Sequence, residues 1–110
     1  MITDPETKRK IVEYLDREGY NFPLDENGDF DLDSITIFED GSELRDWVID
    51  LIISTYGKDV WDGLGWYIDV DAMIDDMFTN GELESARVPS ELIDPNVEGA
   101  MWIVYIKVDW

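Results

Sequence analysis

The sequence predicts an α+β fold: a small antiparallel sheet with about three helices packed on one face. Three observations lead there. Two segments carry apolar residues at helical spacing, Leu44, Trp47, Val48, Leu51, Ile52 and Tyr56 in one and Val70, Met73, Ile74, Met77 and Phe78 in the other. That repeat lines one face of a helix of 3.6 residues per turn. The run Met101 to Val108 instead alternates, with Trp102, Val104, Ile106 and Val108 on one side, as a strand does. The elements follow the order α-β-β-α-α-β-β, which suits helices gathered against an antiparallel sheet. With 110 residues, the whole chain reads as a single domain spanning 1–110.

A first helix is expected from about Pro5 to Glu18. Asp4 is a good N-cap, Pro5 suits the first turn, and Gly19 suits the position after the last turn. Ile11, Tyr14 and Leu15 give it a short inward stripe, and Glu13 and Arg17 sit four apart for an ion pair. Asn27-Gly28 is a turn signal. Phe30, Leu32, Ile35, Ile37 and Phe38 then read as extended chain, with the alternation slipping phase near Asp33-Ser34, so a bulge or two short strands are expected. Ser42 is the expected cap of the second helix and Gly57 its stop, with Glu43, Asp46 and Asp50 outward. Val60 to Ile68 reads as aromatic loop or short strand. Asp69 caps a third helix from Val70 to about Thr79, with Asp71, Asp75 and Asp76 outward and Asn80-Gly81 closing it. A weaker strand near Leu83 to Val88 and a loop bearing Pro89 and Pro95 precede the final strand.

Composition narrows the chemistry. Twenty-seven residues are Asp or Glu and eight are Lys or Arg, a formal net charge of −19, with no histidine and no cysteine. Disulfides, metal sites built on Cys or His, and Ser-His-Asp or Cys-His catalysis are therefore excluded. Paired carboxylates alone can hydrolyse glycosides, but that needs a deep cleft and one carboxyl of raised pKa. The expectation is a protein that is not an enzyme and takes no cofactor. Asp25 to Asp33 resembles a calcium loop superficially, yet its glycine stands fourth rather than sixth and Thr36 occupies the twelfth position, so a solvated hairpin turn is expected. The longest apolar stretch, Met101 to Ile106, is far short of the ~20 residues a spanning helix requires. No signal pattern opens the chain, and a cytoplasmic location, that of a host bacterium, is expected.

The charge is threaded through the fold rather than gathered in a tail. From Glu18 to Leu44 there are nine acids and no base, and from Asp59 to Ala86 eight acids and no base. Asp29, Asp31, Asp33, Glu39, Asp40, Glu43, Asp46, Asp50, Asp62, Asp69, Asp71, Asp75 and Asp76 are the candidate partner-binding residues. An imbalance this large exceeds the ~2–8 charges useful for solubility. It repels nucleic acid and anionic membrane and attracts basic protein surfaces. Outward carboxylates one helical turn apart are separated by about 6 Å along the axis. A DNA strand carries one phosphate about every 3.4 Å. Such rows approach a nucleic-acid backbone in charge density, so a DNA-binding protein is the expected partner. Trp61, Trp66, Tyr67, Trp102, Tyr105 and Trp110 are candidates for interface or core, with Trp47 and Trp102 expected in the core. If the last strand lies at a sheet edge, pairing with its symmetry mate would form a homodimer and lengthen the acidic track.

Part of the chain resembles a known family. Ile35-Thr36-Ile37-Phe38-Glu39-Asp40, Leu64-Gly65-Trp66-Tyr67-Ile68-Asp69-Val70-Asp71-Ala72 and Asp75-Asp76-Met77-Phe78, within 29–82, look like the middle and C-terminal parts of ArdA-type antirestriction proteins. Val70 stands where that family carries tyrosine, and Asp75 where it carries a basic residue. The resemblance implies a phage- or plasmid-borne DNA mimic that occupies the DNA site of a restriction–modification enzyme. Asp69, Asp71, Asp75, Asp76, Glu39, Asp40, Glu43, Asp46 and Asp50 are the matching acidic positions. The function expected is thus inhibition of a bacterial DNA-binding defence enzyme, with anti-CRISPR activity as a variant. The rival is an immunity or antitoxin protein that neutralises a basic toxin.

Overall fold

Residues 1–110 are described by a computed structural model. Helix α1 spans Pro5–Arg17, strand β1 Ile35–Phe38, helix α2 Gly41–Tyr56, helix α3 Lys58–Leu64, helix α4 Val70–Thr79, strand β2 Leu83–Pro89 and strand β3 Met101–Val108. The α+β class, the antiparallel sheet and the main helices agree with the sequence expectation. No helix is long and apolar enough to cross a membrane.

Local chemistry sets most of the boundaries. Asp4 caps α1 by accepting from the Thr7 amide, and Asp69 caps α4 by accepting from the Ala72 amide. Gly19 and Gly81, both at positive φ, follow α1 and α4 closely, where a side chain would be strained. At α2 the cap is Asp40 rather than Ser42: the Glu43 amide donates to the Asp40 carboxylate at 2.9 Å. A carboxylate at this point satisfies an orphan N–H and meets the positive end of the helix.

Strand β3 is the centre of the sheet, in the order β1-β3-β2, with both neighbours antiparallel. The register Ile37↔Ile106 and Ala86↔Val104 puts those four residues on one face. There, with Ile35 and Val88, they meet Ile11, Val12 and Leu15 of α1. Thr36, Phe38, Leu83 and Tyr105 point to the opposite face. Phe38 and Leu83 are buried there with Leu44, Val48 and Ile52 of α2 and Val70 of α4, and Tyr105 packs against them. The helices therefore take both faces of the sheet, α1 on one and α2 and α4 on the other, not a single face. The unbroken apolar run in β3 is the cause, since a strand covered on both sides needs apolar residues at both parities.

Other expectations are corrected. Strand β3 is not an edge strand over Tyr105–Val108, where both neighbours pair with it, while Met101–Val104 pairs with β2 alone. The outer edge of β1 is partly covered, because the Ile2 amide donates to the Ile37 carbonyl at 2.9 Å. Val60 to Ile68 is neither loop nor strand but helix α3 followed by a 3₁₀ turn, Gly65–Tyr67. Before β1, the expected extended chain contains a 3₁₀ turn, Leu32–Ser34, where the alternation slips phase. Asp25 to Phe30 forms a tight hairpin closed by the Leu24↔Phe30 bridge, with Gly28 at positive φ. Trp102 shares its face with Val104 and Ile106, but lies next to the open end of β3 and stays 36% exposed. Trp47 is half-buried at the rim, its ring 5.5 Å from Phe38. Leu51 and Tyr56, expected inward on α2, are exposed, as is Met73 on α4.

Candidate protein-binding surface

The surface of interest is built by α2 and α4, which lie side by side over the sheet. The buried residues of α2 are Leu44, Val48 and Ile52, so Asp46 and Asp50, two positions out of phase, stand on its solvent side. On α4, Val70 is buried and Ile74, Met77 and Phe78 lean onto the core, which leaves Asp71, Asp75 and Asp76 in solvent. Asp62 on α3 is also exposed. One ion pair lies within this layer of carboxylates: the Arg45 guanidinium is 3.6 Å from the Asp71 carboxylate and links α2 to α4. No ion pair holds Asp46, Asp50, Asp62, Asp75 or Asp76. Lys107, at the rim of the layer, lies over the Trp47 ring of α2 at 5.9 Å and pairs with Asp109, while Lys10 and Glu6 pair on α1. The result is a fixed negative field that concentrates cations in front of the helices.

Other predicted residues have structural work. Asp40 and Asp69 are helix caps. Glu43 is half-buried, accepts from the Glu39 amide at 3.1 Å and also meets the Met1 amino group. Glu39 is half-buried beside it. These four carry charge into the rim of the α2–α4 layer but are partly spent on folding. Asp29, Asp31 and Asp33 belong to a different part of the molecule. Asp29 belongs to the 25–30 hairpin, and Asp31 and Asp33 follow it toward α1, where Asp31 accepts from the Ser34 hydroxyl at 2.8 Å. Asp33 acts there on Lys8, whose pKa burial nevertheless pulls below its ordinary value. The thirteen predicted acids therefore form two groups on opposite faces of the sheet, not one continuous track.

The sequence leaves Trp66 and Tyr67 open between core and interface. They are 92% and 85% exposed, on the 3₁₀ turn between α3 and α4. Trp61, four residues earlier, packs on the α2–α4 core instead. Gly65 sits against the Trp61 ring so closely that an added Cβ would lie 3.2 Å from it. The aromatic turn is thus braced from beneath by one tryptophan while presenting the next. A shallow groove of about 350 Å³ runs beside it, lined by Arg45, Trp61, Asp62, Gly65, Trp66, Ile68 and Val70. The signal for this division was available in the spacing: Trp61 and Gly65 are one helical turn apart, and Trp66 falls off that face. Trp110 is exposed as well, at 81%.

No three carboxylates converge closely enough to hold a metal ion. No family model, curated protein or solved structure matches the chain.

Proposed function

We propose that this protein is a non-enzymatic inhibitor that presents carboxylates in place of DNA phosphates and blocks a DNA-binding enzyme of bacterial defence. Restriction–modification enzymes are the first target class, and CRISPR effectors the second. The observation that carries the reading is the α2–α4 layer, where Asp46, Asp50, Asp75 and Asp76 are exposed and without basic partners. A surface that served only solubility would intersperse both signs. Here acids are added where the chain places almost no base to offset them, which costs self-repulsion and is useful only against a cationic partner. A protein that binds DNA by neutralising phosphates presents a cationic surface of this kind, and the same Lys and Arg cannot contact both ligands. The partial resemblance to ArdA-type proteins points the same way, and kinship with that family is part of the proposal. A mimic of this kind acts where its target does, in the cytoplasm of a bacterium.

The test is retention of proteins from a bacterial lysate on the immobilised chain, followed by elution with nucleic acid. Competitive release of a DNA-binding enzyme is expected. Replacement of Asp46, Asp50, Asp75 and Asp76 by Asn is expected to abolish retention at about 0.15 M salt, since each lost contact lowers the electrostatic contribution. A basic partner held so firmly that no nucleic acid displaces it would transfer the reading to an immunity-type protein.

A further inference from the structure

Among the large apolar and aromatic side chains, Trp66 and Tyr67 are the most exposed. They stand almost wholly in solvent, and nothing in the fold requires them there. The 3₁₀ turn that carries them is braced by Trp61 beneath Gly65 and ends at the Asp69 cap of α4. Carboxylates flank the pair on both sides, Asp62 before and Asp69 after, both exposed. Arg45, the one cation lining the adjacent groove, is engaged by Asp71. The arrangement is two aromatic faces set among negative charges on a supported turn.

Intact duplex DNA does not look like this. Its outer surface offers phosphates and base edges, while base faces are hidden in the stack. Single-stranded nucleic acid offers both at once: a charged backbone and splayed aromatic faces, which proteins receive on stacking side chains within a basic groove. We propose that Trp66 and Tyr67 stand in for unstacked nucleobases, so that the partner is a protein whose basic groove takes single-stranded nucleic acid. The inference rests on the nucleic-acid-mimic reading and narrows it. The partner's stacking groups, aromatic rings or arginine planes, receive Trp66 and Tyr67. Its phosphate-binding Lys and Arg meet Asp62, Asp69 and the acids of α2 and α4. Charge complementarity selects a basic partner, and the two rings select among basic partners those that stack.

The experiment uses the 110-residue chain immobilised as bait in bacterial lysate. Bound protein is eluted in parallel with an oligothymidylate of about 16 nucleotides and with duplex DNA at matched phosphate concentration. Three baits are compared: wild type, W66A/Y67A and W66F/Y67F. The expected result is release by the single strand at a concentration about tenfold below that of duplex, with retention on W66A/Y67A reduced about tenfold and restored by W66F/Y67F. Both residues are exposed, so the alanine variant is expected to fold, and an unchanged circular dichroism spectrum checks this. Equal or better elution by duplex, or full retention on W66A/Y67A, overturns the single-strand inference and leaves the duplex-mimic reading standing. Release by neither nucleic acid overturns both. Sedimentation showing a wild-type dimer that W66A/Y67A converts to monomer would assign the rings to self-association and overturn the inference as well.

Discussion

At the scale of single residues, the acids divide between those that shape the fold and those that only carry charge. Asp40 is the clearest of the first kind, since its carboxylate accepts from the Glu43 amide. Asp40→Ala is expected to cost about 1 kcal/mol in urea denaturation, whereas Ser42→Ala stays within about 0.5 kcal/mol. Asp40→Asn keeps a capping oxygen while removing a charge, and is expected to be neutral or slightly stabilising. If Ser42→Ala were the damaging change, the cap would lie where the sequence first suggested. Asp4 shows the same chemistry with a pH signature. Its carboxyl is held below the ordinary 3.8 by the Thr7 hydroxyl, which donates at 2.7 Å, and then by the Thr7 amide. A depressed folded value means the contribution is complete above the ordinary value and disappears as pH falls through the lowered one. The stability gap between wild type and Asp4→Ala is therefore expected to shrink below about pH 4. These caps were partly legible: Asp4 and Asp69 stood directly before helical patterns. Asp40 was obscured because Ser42, a good cap by type, followed it closely. Val12 was missed because the inward stripe of α1 is wider than its Ile11–Leu15 spacing suggested. Trp102 was misplaced because a strand's alternation fixes which face a residue takes, but not how far along that face the covering helix reaches.

At the scale of elements, periodicity worked where a helix is long or a strand alternates, and failed in the α3 region. Seven residues give too few turns for an apolar stripe to emerge, and Gly63 within the helix and Gly65 just after it read as breakers. What holds α3 is tertiary: Trp61 packs on the core shared with α2, and Gly57 reverses the chain between the two helices. Gly57 adopts φ 93° and ψ 152°, a conformation essentially restricted to glycine. Gly57→Ala is expected to destabilise the protein by about 1–3 kcal/mol, measured by urea denaturation, and to loosen the presentation of Trp66. A variant of unchanged stability would show that the α2–α3 junction relaxes without strain. The sheet teaches a related lesson. Strand existence and the exact span of β3 were readable, but pairing order was not, because order depends on which strands fit on either side of a central one. The apolar run of β3 contained the answer, since an edge strand rarely needs both faces dry.

At the scale of the whole molecule, the chain supports two small cores while carrying a net charge of −19. Of 110 residues 18 are buried, and Ser90, whose hydroxyl donates to the Val97 carbonyl, is the one polar residue among them. The molecule measures 44 × 35 × 25 Å. At about 0.01 M ionic strength the screening length is roughly 30 Å, so carboxylates on one helix layer repel those across the molecule; at about 0.1 M it is roughly 10 Å, and repulsion is confined to neighbours. The melting temperature is therefore expected to rise between about 0.01 and 0.2 M salt, opposite to a fold held by surface ion pairs, which salt would weaken. The distribution of charge makes the expectation sharper. Asp46, Asp50, Asp75 and Asp76 are exposed on adjacent helices without basic partners, so replacing all four by Asn should raise the melting temperature at low salt and flatten its salt dependence. A rise in stability of that variant would show that the four carboxylates are held at a cost to the fold, as the proposed binding role requires. If the fourfold variant lost partner retention yet melted with the same salt dependence as wild type, the repulsion would reside in the α1-side acids. The α2–α4 layer would then be a binding surface that costs the fold little. If both changed together, one set of carboxylates would account for the instability and for the capture of a basic partner.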